Sequence, residues 1–156
     1  MTQPPVSSDP NSNKTILGFD YGEKRIGVAV GQTLTSQANP LITLQSKQQK
    51  PDWETIAALI KEWQASELVV GHPLQLDGTT QPVTAAAEKF ARQLAGRYHL
   101  PVHLMDERLT SASAESELRE QGQRYQKEDI DMHAARLILQ DWLTQQATQK
   151  HQQTPS

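Results

Sequence analysis

The stretch "ILGFDYGEKRIGVAV", residues 16–30, decides how this chain folds. Two apolar runs, 16–21 and 26–31, flank the turn "GEKR", a pattern that reads as a β-hairpin. The period of two along the first run puts Ile16, Gly18 and Asp20 on one face, and Leu17, Phe19 and Tyr21 on the other. A carboxylate at the end of an apolar strand, beside a basic turn, adds nothing to a core. Asp20 therefore has two readings. It caps the turn that follows, as Asp often does, or it holds a cation against a phosphate, with Gly18 leaving room for the approach.

Working outward, "PLITL" (40–44) reads as a third strand. Trp53, Ile56, Ile60 and Trp63 recur at helical spacing after the start signal Pro51-Asp52. "ELVVG" (67–71) is a short strand ending in glycine, followed by the loop "HPLQLDGTTQP". A helix over 83–98 carries Val83, Ala86, Phe90, Leu94 and Tyr98 on one stripe. "PVHLMDER" (101–108) begins as a strand and ends polar, "SASAESELREQG" is a short helix stopped by Gly122, and 131–143 is a last helix with Ala134, Ala135, Ile138 and Trp142 inward.

This order predicts an α/β fold. A mixed five-stranded sheet, three antiparallel strands and then two parallel ones reached through helical crossovers, is covered by helices. Residues 15–143 are expected to form one domain, with a disordered tail over 1–14 and a flexible, Gln-rich tail over 144–156.

Composition narrows the function. The 156 residues carry a formal net charge of -3, with a pI near 5.9 and a mean hydropathy of -0.64. Nucleic-acid binding through bulk positive charge is therefore disfavoured, but a local basic patch around a metal site is not. With no cysteine, disulfides and thiolate metal sites are excluded, and a reducing cytoplasm is the natural setting. No signal-peptide pattern and no apolar run of about 18 residues is present, so no membrane role is expected.

Two further acid positions stand out beside Asp20. Asp106 and Glu107 follow "VHLM" at the carboxyl end of an expected parallel strand, where ligands gather in such sheets. Neighbouring strand residues face opposite ways, so one of the pair can join Asp20; otherwise they simply begin a polar loop. Asp131 precedes Ala134, Ala135 and Ile138 by helical spacings, which puts it on the inward stripe of the last helix. Its alternative is an N-cap or first-turn acid, a role open to Asp129 as well. An oxygen-only cluster suits Mg²⁺ or Mn²⁺ rather than Zn²⁺. Two such ions support in-line phosphoryl displacement.

The segments "LGFDYGEKRIGVAVG", "LVVGHPLQLDGTTQP", "VHLMDERLTSASAE" and "IDMHAARLILQDWL" resemble the YqgF family, also called RuvX, in order and spacing over about residues 15–143. The resemblance implies an RNase H-like fold with helices on both faces of the sheet. It implies a metal-dependent nuclease linked to maturation of the 5′ end of 16S ribosomal RNA. It assigns Asp20, Glu107 and Asp131 as the acids that act in catalysis and bind metal, deciding for Glu107 over Asp106. His72 and His133 stand where the family has an apolar and a small residue.

Lys24, Arg25 and Arg108 are candidate phosphate contacts, and Gly78, Thr79 and Thr80 of the long loop are candidates for the sugar-phosphate chain. Trp53, Trp63 and Trp142 lie on apolar stripes and read as core before base-stacking platforms. The expected partner is nucleic acid: precursor ribosomal RNA, or branched DNA if the chain resolves Holliday junctions. A non-catalytic role beside ribosomal or transcription proteins is the remaining rival. Either a monomer or a homodimer is compatible.

Overall fold

The computed structural model describes residues 13–153 apart from 49, 75, 76, 78, 108, 109 and 123. Most of the expected tail over 1–14 lies outside the described residues, as do Gly78 and Arg108. The elements run β1 (Thr15–Tyr21), β2 (Arg25–Gln32), β3 (Gln37–Gln45), α1 (Trp53–Trp63), β4 (Glu67–Pro73), α2 (Pro82–Tyr98), β5 (Val102–Glu107), α3 (Thr110–Glu120) and α4 (Lys127–Gln153).

The strands form one five-stranded sheet in the order β3-β2-β1-β4-β5. β1 pairs antiparallel with β2, and β2 with β3. β1 pairs parallel with β4, and β4 with β5. This is the mixed sheet expected from the order of elements. β1 and β4 lie inside the sheet and are covered on both sides, so Ile16, Leu17, Phe19, Leu68, Val69 and Val70 are all fully buried. A strand buried on both faces reads as an unbroken apolar run, which is how "ILGF" and "LVV" look.

The two faces hold separate cores. On one, Leu17, Phe19, Val28, Leu44, Leu68 and Val70 pack with Ile56, Phe90 and Leu94, which come from α1 and α2. Trp53 stacks on Phe90 at 5.6 Å, Phe19 meets Phe90 edge-on at 5.7 Å, and the Arg97 guanidinium lies 4.1 Å from the Trp53 ring centre. On the other face, Ile16, Ala29, Ala38 and Val69 pack under Ala135, Ile138, Leu139, Trp142 and Leu143 of α4. All three tryptophans pack against these cores. Each large side chain so buried contributes about 1.5–3 kcal/mol.

Polar contacts pin α4 to the edge strand β3. Thr43 Oγ1 donates to the Glu128 carbonyl at 2.7 Å, and the Gln140 amide accepts from Ala38 N–H at 3.0 Å while donating to the Ser36 carbonyl at 2.7 Å. Two helices depart from expectation. α2 buries Thr84, Ala87, Phe90, Ala91 and Leu94, so its first turn is rotated by one residue from the Val83–Ala86 stripe. The cause is Thr84, whose hydroxyl donates to the Pro73 carbonyl and accepts from Gln81 N–H. α4 continues through 144–153, where a flexible tail was expected. Gln, Ala and Lys are good helix formers, and no proline intervenes before Pro155.

Candidate active site

Register builds the site. Asp20 is the next-to-last residue of the buried strand β1 and pairs across the hairpin with Gly27. A side chain at Gly27 would run into the backbone carbonyl of Asp131, so its absence lets the first turns of α4 lie directly on β2 beside Asp20. β5 pairs with β4 so that Glu107 lies opposite Pro73, and the Leu74 N–H donates to the Glu107 carbonyl at 3.1 Å. A side chain at Gly71 would meet both the Glu107 carboxylate and Ile138 of α4. Glu107 therefore folds over the gap left at Gly71, on the α4 side of the sheet.

Asp20, Glu107 and Asp131 meet there. The Asp20 carboxyl is held well above the usual carboxylate range. Burial is the largest cause, followed by the charges of Glu107 and then Asp131, and by a hydrogen bond with the Glu107 carboxyl. A hydrogen bond between two carboxyl groups needs a proton on one of them. Asp20 is thus in electrostatic contact with both others.

Asp106 turns to the opposite side. His72 pairs with it in the β4–β5 register, with Nδ1 at 3.4 Å from Asp106 Oδ1 and Nε2 at 2.9 Å from Glu88 Oε2 of α2. Strand alternation separates Asp106 from Glu107, and only Glu107 reaches Asp20. Capping is likewise resolved at α4. Asp129 accepts from the Gln126 N–H at 2.8 Å, so the cap falls to Asp129 and not to Asp131.

Of the candidate phosphate contacts, Lys24 is exposed in the hairpin turn. Arg25 instead donates from Nε to Asp131 Oδ2 at 2.6 Å, inside the acid cluster. Thr79 sits in an exposed loop and closes an Asx turn, its N–H at 3.0 Å and its hydroxyl at 2.7 Å from Asp77 Oδ1. Gly78 and Arg108 lie outside the described residues, so their expected contacts are not placed. His133 packs near Glu117 at 3.8 Å, and burial together with the Arg136 charge holds its imidazole below the ordinary value.

The donor set fits a hard divalent cation. It is oxygen only and carries excess negative charge, which raises the Asp20 carboxyl and which Arg25 partly offsets at Asp131. Among the described residues, no three such side chains already stand as a metal-ligand cluster. Sequence reasoning missed Gly27 and Gly71. The signal for Gly27 was available, since counting back from the hairpin turn puts it opposite Asp20.

The family model described as "RuvX: Holliday junction resolvase" matches residues 14–145. A protein of Coxiella burnetii named "Putative pre-16S rRNA nuclease" is 50% identical over 137 residues, covering 88% of this chain and 97% of its own. One of the same name from Pseudomonas putida is 51% identical over 133 residues, covering 83% and 94%. Among solved structures, Thermus thermophilus RuvC in complex with a Holliday junction aligns with a TM-score of 0.53 at 14% identity, covering 85% of this chain and 96% of that one. The yeast mitochondrial Holliday junction resolvase Ydc2 aligns with a TM-score of 0.53 at 16% identity, covering 94% and 84%. The likeness to these two is one of fold, and that fold is RNase H-like. The matched segment takes in β1 through most of α4, including all three acids, and the chain belongs to the RuvX family.

Proposed function

We propose that this chain is a metal-dependent endonuclease that hydrolyses phosphodiester bonds in maturing the 5′ end of precursor 16S ribosomal RNA, in the cytoplasm. The observation that carries the reading is the meeting of Asp20, Glu107 and Asp131, from the first strand, the last strand and the last helix, in one electrostatically coupled cluster. A scaffold protein has no use for three acids whose repulsion it must neutralise. The relatives' shared name supplies the substrate class.

Asp20, Glu107 and Asp131 would hold two Mg²⁺ or Mn²⁺ ions, with Asp20 in electrostatic contact with both other acids. Bound ions supply Lewis acidity to the attacking water and to the leaving oxygen. The protein does the rest by position. β1 lies inside the sheet, buried on both faces, and it fixes Asp20. The Leu74–Glu107 backbone bond fixes the end of β5. Lys24 stands at the rim to meet the phosphate backbone.

The purified full chain, with Mg²⁺ or Mn²⁺, should cut a precursor 16S RNA fragment and leave 5′-phosphate and 3′-hydroxyl ends. Cutting should stop in chelator and in Asp20→Asn. The family description makes four-way junction DNA the necessary parallel substrate. Faster cutting of the junction would move the assignment to resolution, and a folded chain that cuts neither would remove the nuclease reading.

A further inference from the structure

Arg25 opens β2 just past the hairpin turn, and Asp131 sits in the second turn of α4. Arg25 Nε donates to Asp131 Oδ2 at 2.6 Å, with the two side chains only 28% and 20% exposed. This is a charge-assisted bond in a shielded setting, the stronger kind of ion pair. Within the acid cluster, Asp131 is therefore already neutralised by a guanidinium. Asp131 spends an oxygen on a protein cation.

We propose that Arg25 is the resident counterion of Asp131, displaced from it by the divalent cation and thereby released to the substrate phosphate. The inference rests on the metal-dependent reading above and adds a role for Arg25 within it. The exchange matches partners at each end. A hard cation takes the carboxylate oxygen, and the planar guanidinium takes phosphate oxygens, for which its fork of donors is suited. Cation and phosphate then each free the other's partner. Their binding is positively coupled, and by linkage the coupling is reciprocal.

A competing role gives the opposite sign. A ligand carboxylate is often held in place by a donor on its second oxygen. If Arg25 merely orients Asp131, its removal weakens metal binding; if it competes for Asp131, its removal tightens it. Mn²⁺ binding to the full chain, without nucleic acid, can be followed by the electron paramagnetic resonance signal of the free ion. Arg25→Gln is expected to lower the Mn²⁺ Kd by about threefold or more. Lys24→Gln removes the same charge from the adjoining exposed position and is expected to change it clearly less. In the wild type, the Arg25 Nε–H resonance should be protected from solvent exchange without metal and lose that protection at saturating Mg²⁺. This second readout needs no variant to fold. An unchanged or raised Kd in Arg25→Gln, an equal gain in Lys24→Gln, or an Nε–H that stays protected at saturation would overturn the exchange while leaving a metal-binding site intact. A wild type that binds no Mn²⁺ would instead remove the metal-centred reading, and this inference with it.

Discussion

Asp20 sits where a carboxylate is costly without a cation. Burial and the neighbouring charges of Glu107 and Asp131 all disfavour its ionised form. Replacing it by Asn keeps the shape and removes that charge. Asp20→Asn should therefore melt several degrees above the wild type in chelator, while its cleavage falls by more than about a hundredfold, beyond the effect of disturbing a residue that only supports a ligand. Thermal melts and single-turnover cleavage on the same preparation check both halves. A variant that melts lower in chelator would show that the acids do not strain the metal-free fold. His72 offers the contrast. It faces Glu88 and Asp106, away from the acid cluster. His72→Gln should leave cleavage within about threefold and cost less than about 1 kcal/mol, the worth of a pair whose acid partners are exposed. A larger loss of cleavage at unchanged stability would return His72 to the chemistry.

At the scale of elements, the site depends on how closely α4 approaches the sheet. A Cβ at Gly27 would collide with the backbone of Asp131, which cannot move as a side-chain tip can. Gly27→Ala should cost about 1–3 kcal/mol, as overpacking does, and should lose cleavage because it displaces the helix that carries Asp131. Gly96 of α2 is the control, since a Cβ there meets nothing within 4 Å. Gly96→Ala should stabilise by about 0.5–1 kcal/mol through helix propensity alone and leave cleavage intact. Denaturant melts of the pair decide this. If Gly27→Ala is as benign as Gly96→Ala, close approach is not what positions Asp131. The elements themselves were legible in the sequence because hydrophobic period and turn residues are local signals. Strand alternation put Asp20 on its correct face, and helical spacing put Asp131 on the buried stripe. Two things were not legible in local pattern, the first of which only the family resemblance decided. Which of Asp106 and Glu107 faces α4 depends on the β4–β5 register, which no local pattern states. The pairing of Arg25 with Asp131 joins residues 106 positions apart and appears only once α4 has docked.

At the scale of the whole molecule, the sheet acts as a collector of charge from distant parts of the chain. β1, β5 and α4 each deliver one acid to the same end of the fold, and the two cores hold those three supports rigid. A chain of net charge -3 does not attract nucleic acid by its overall field, so under the proposed function affinity would come from the site once cations fill it. Folding and metal binding are then linked. On the proposed reading the acids converge only in the folded state, so a cation held by them would bind there far better than to the unfolded chain and would add stability that grows with its concentration, about 2.7 kcal/mol at a hundred times Kd. For a domain of this size that is a rise of roughly 5–10 °C in Tm. Wild type titrated with Mn²⁺ should show this rise, and Asp20→Asn should show little of it despite starting from a higher value in chelator. The two melting curves should therefore converge or cross as Mn²⁺ is added. Parallel curves across the titration would mean that the cation is held elsewhere on the molecule, and the three acids would lose their place as its ligands.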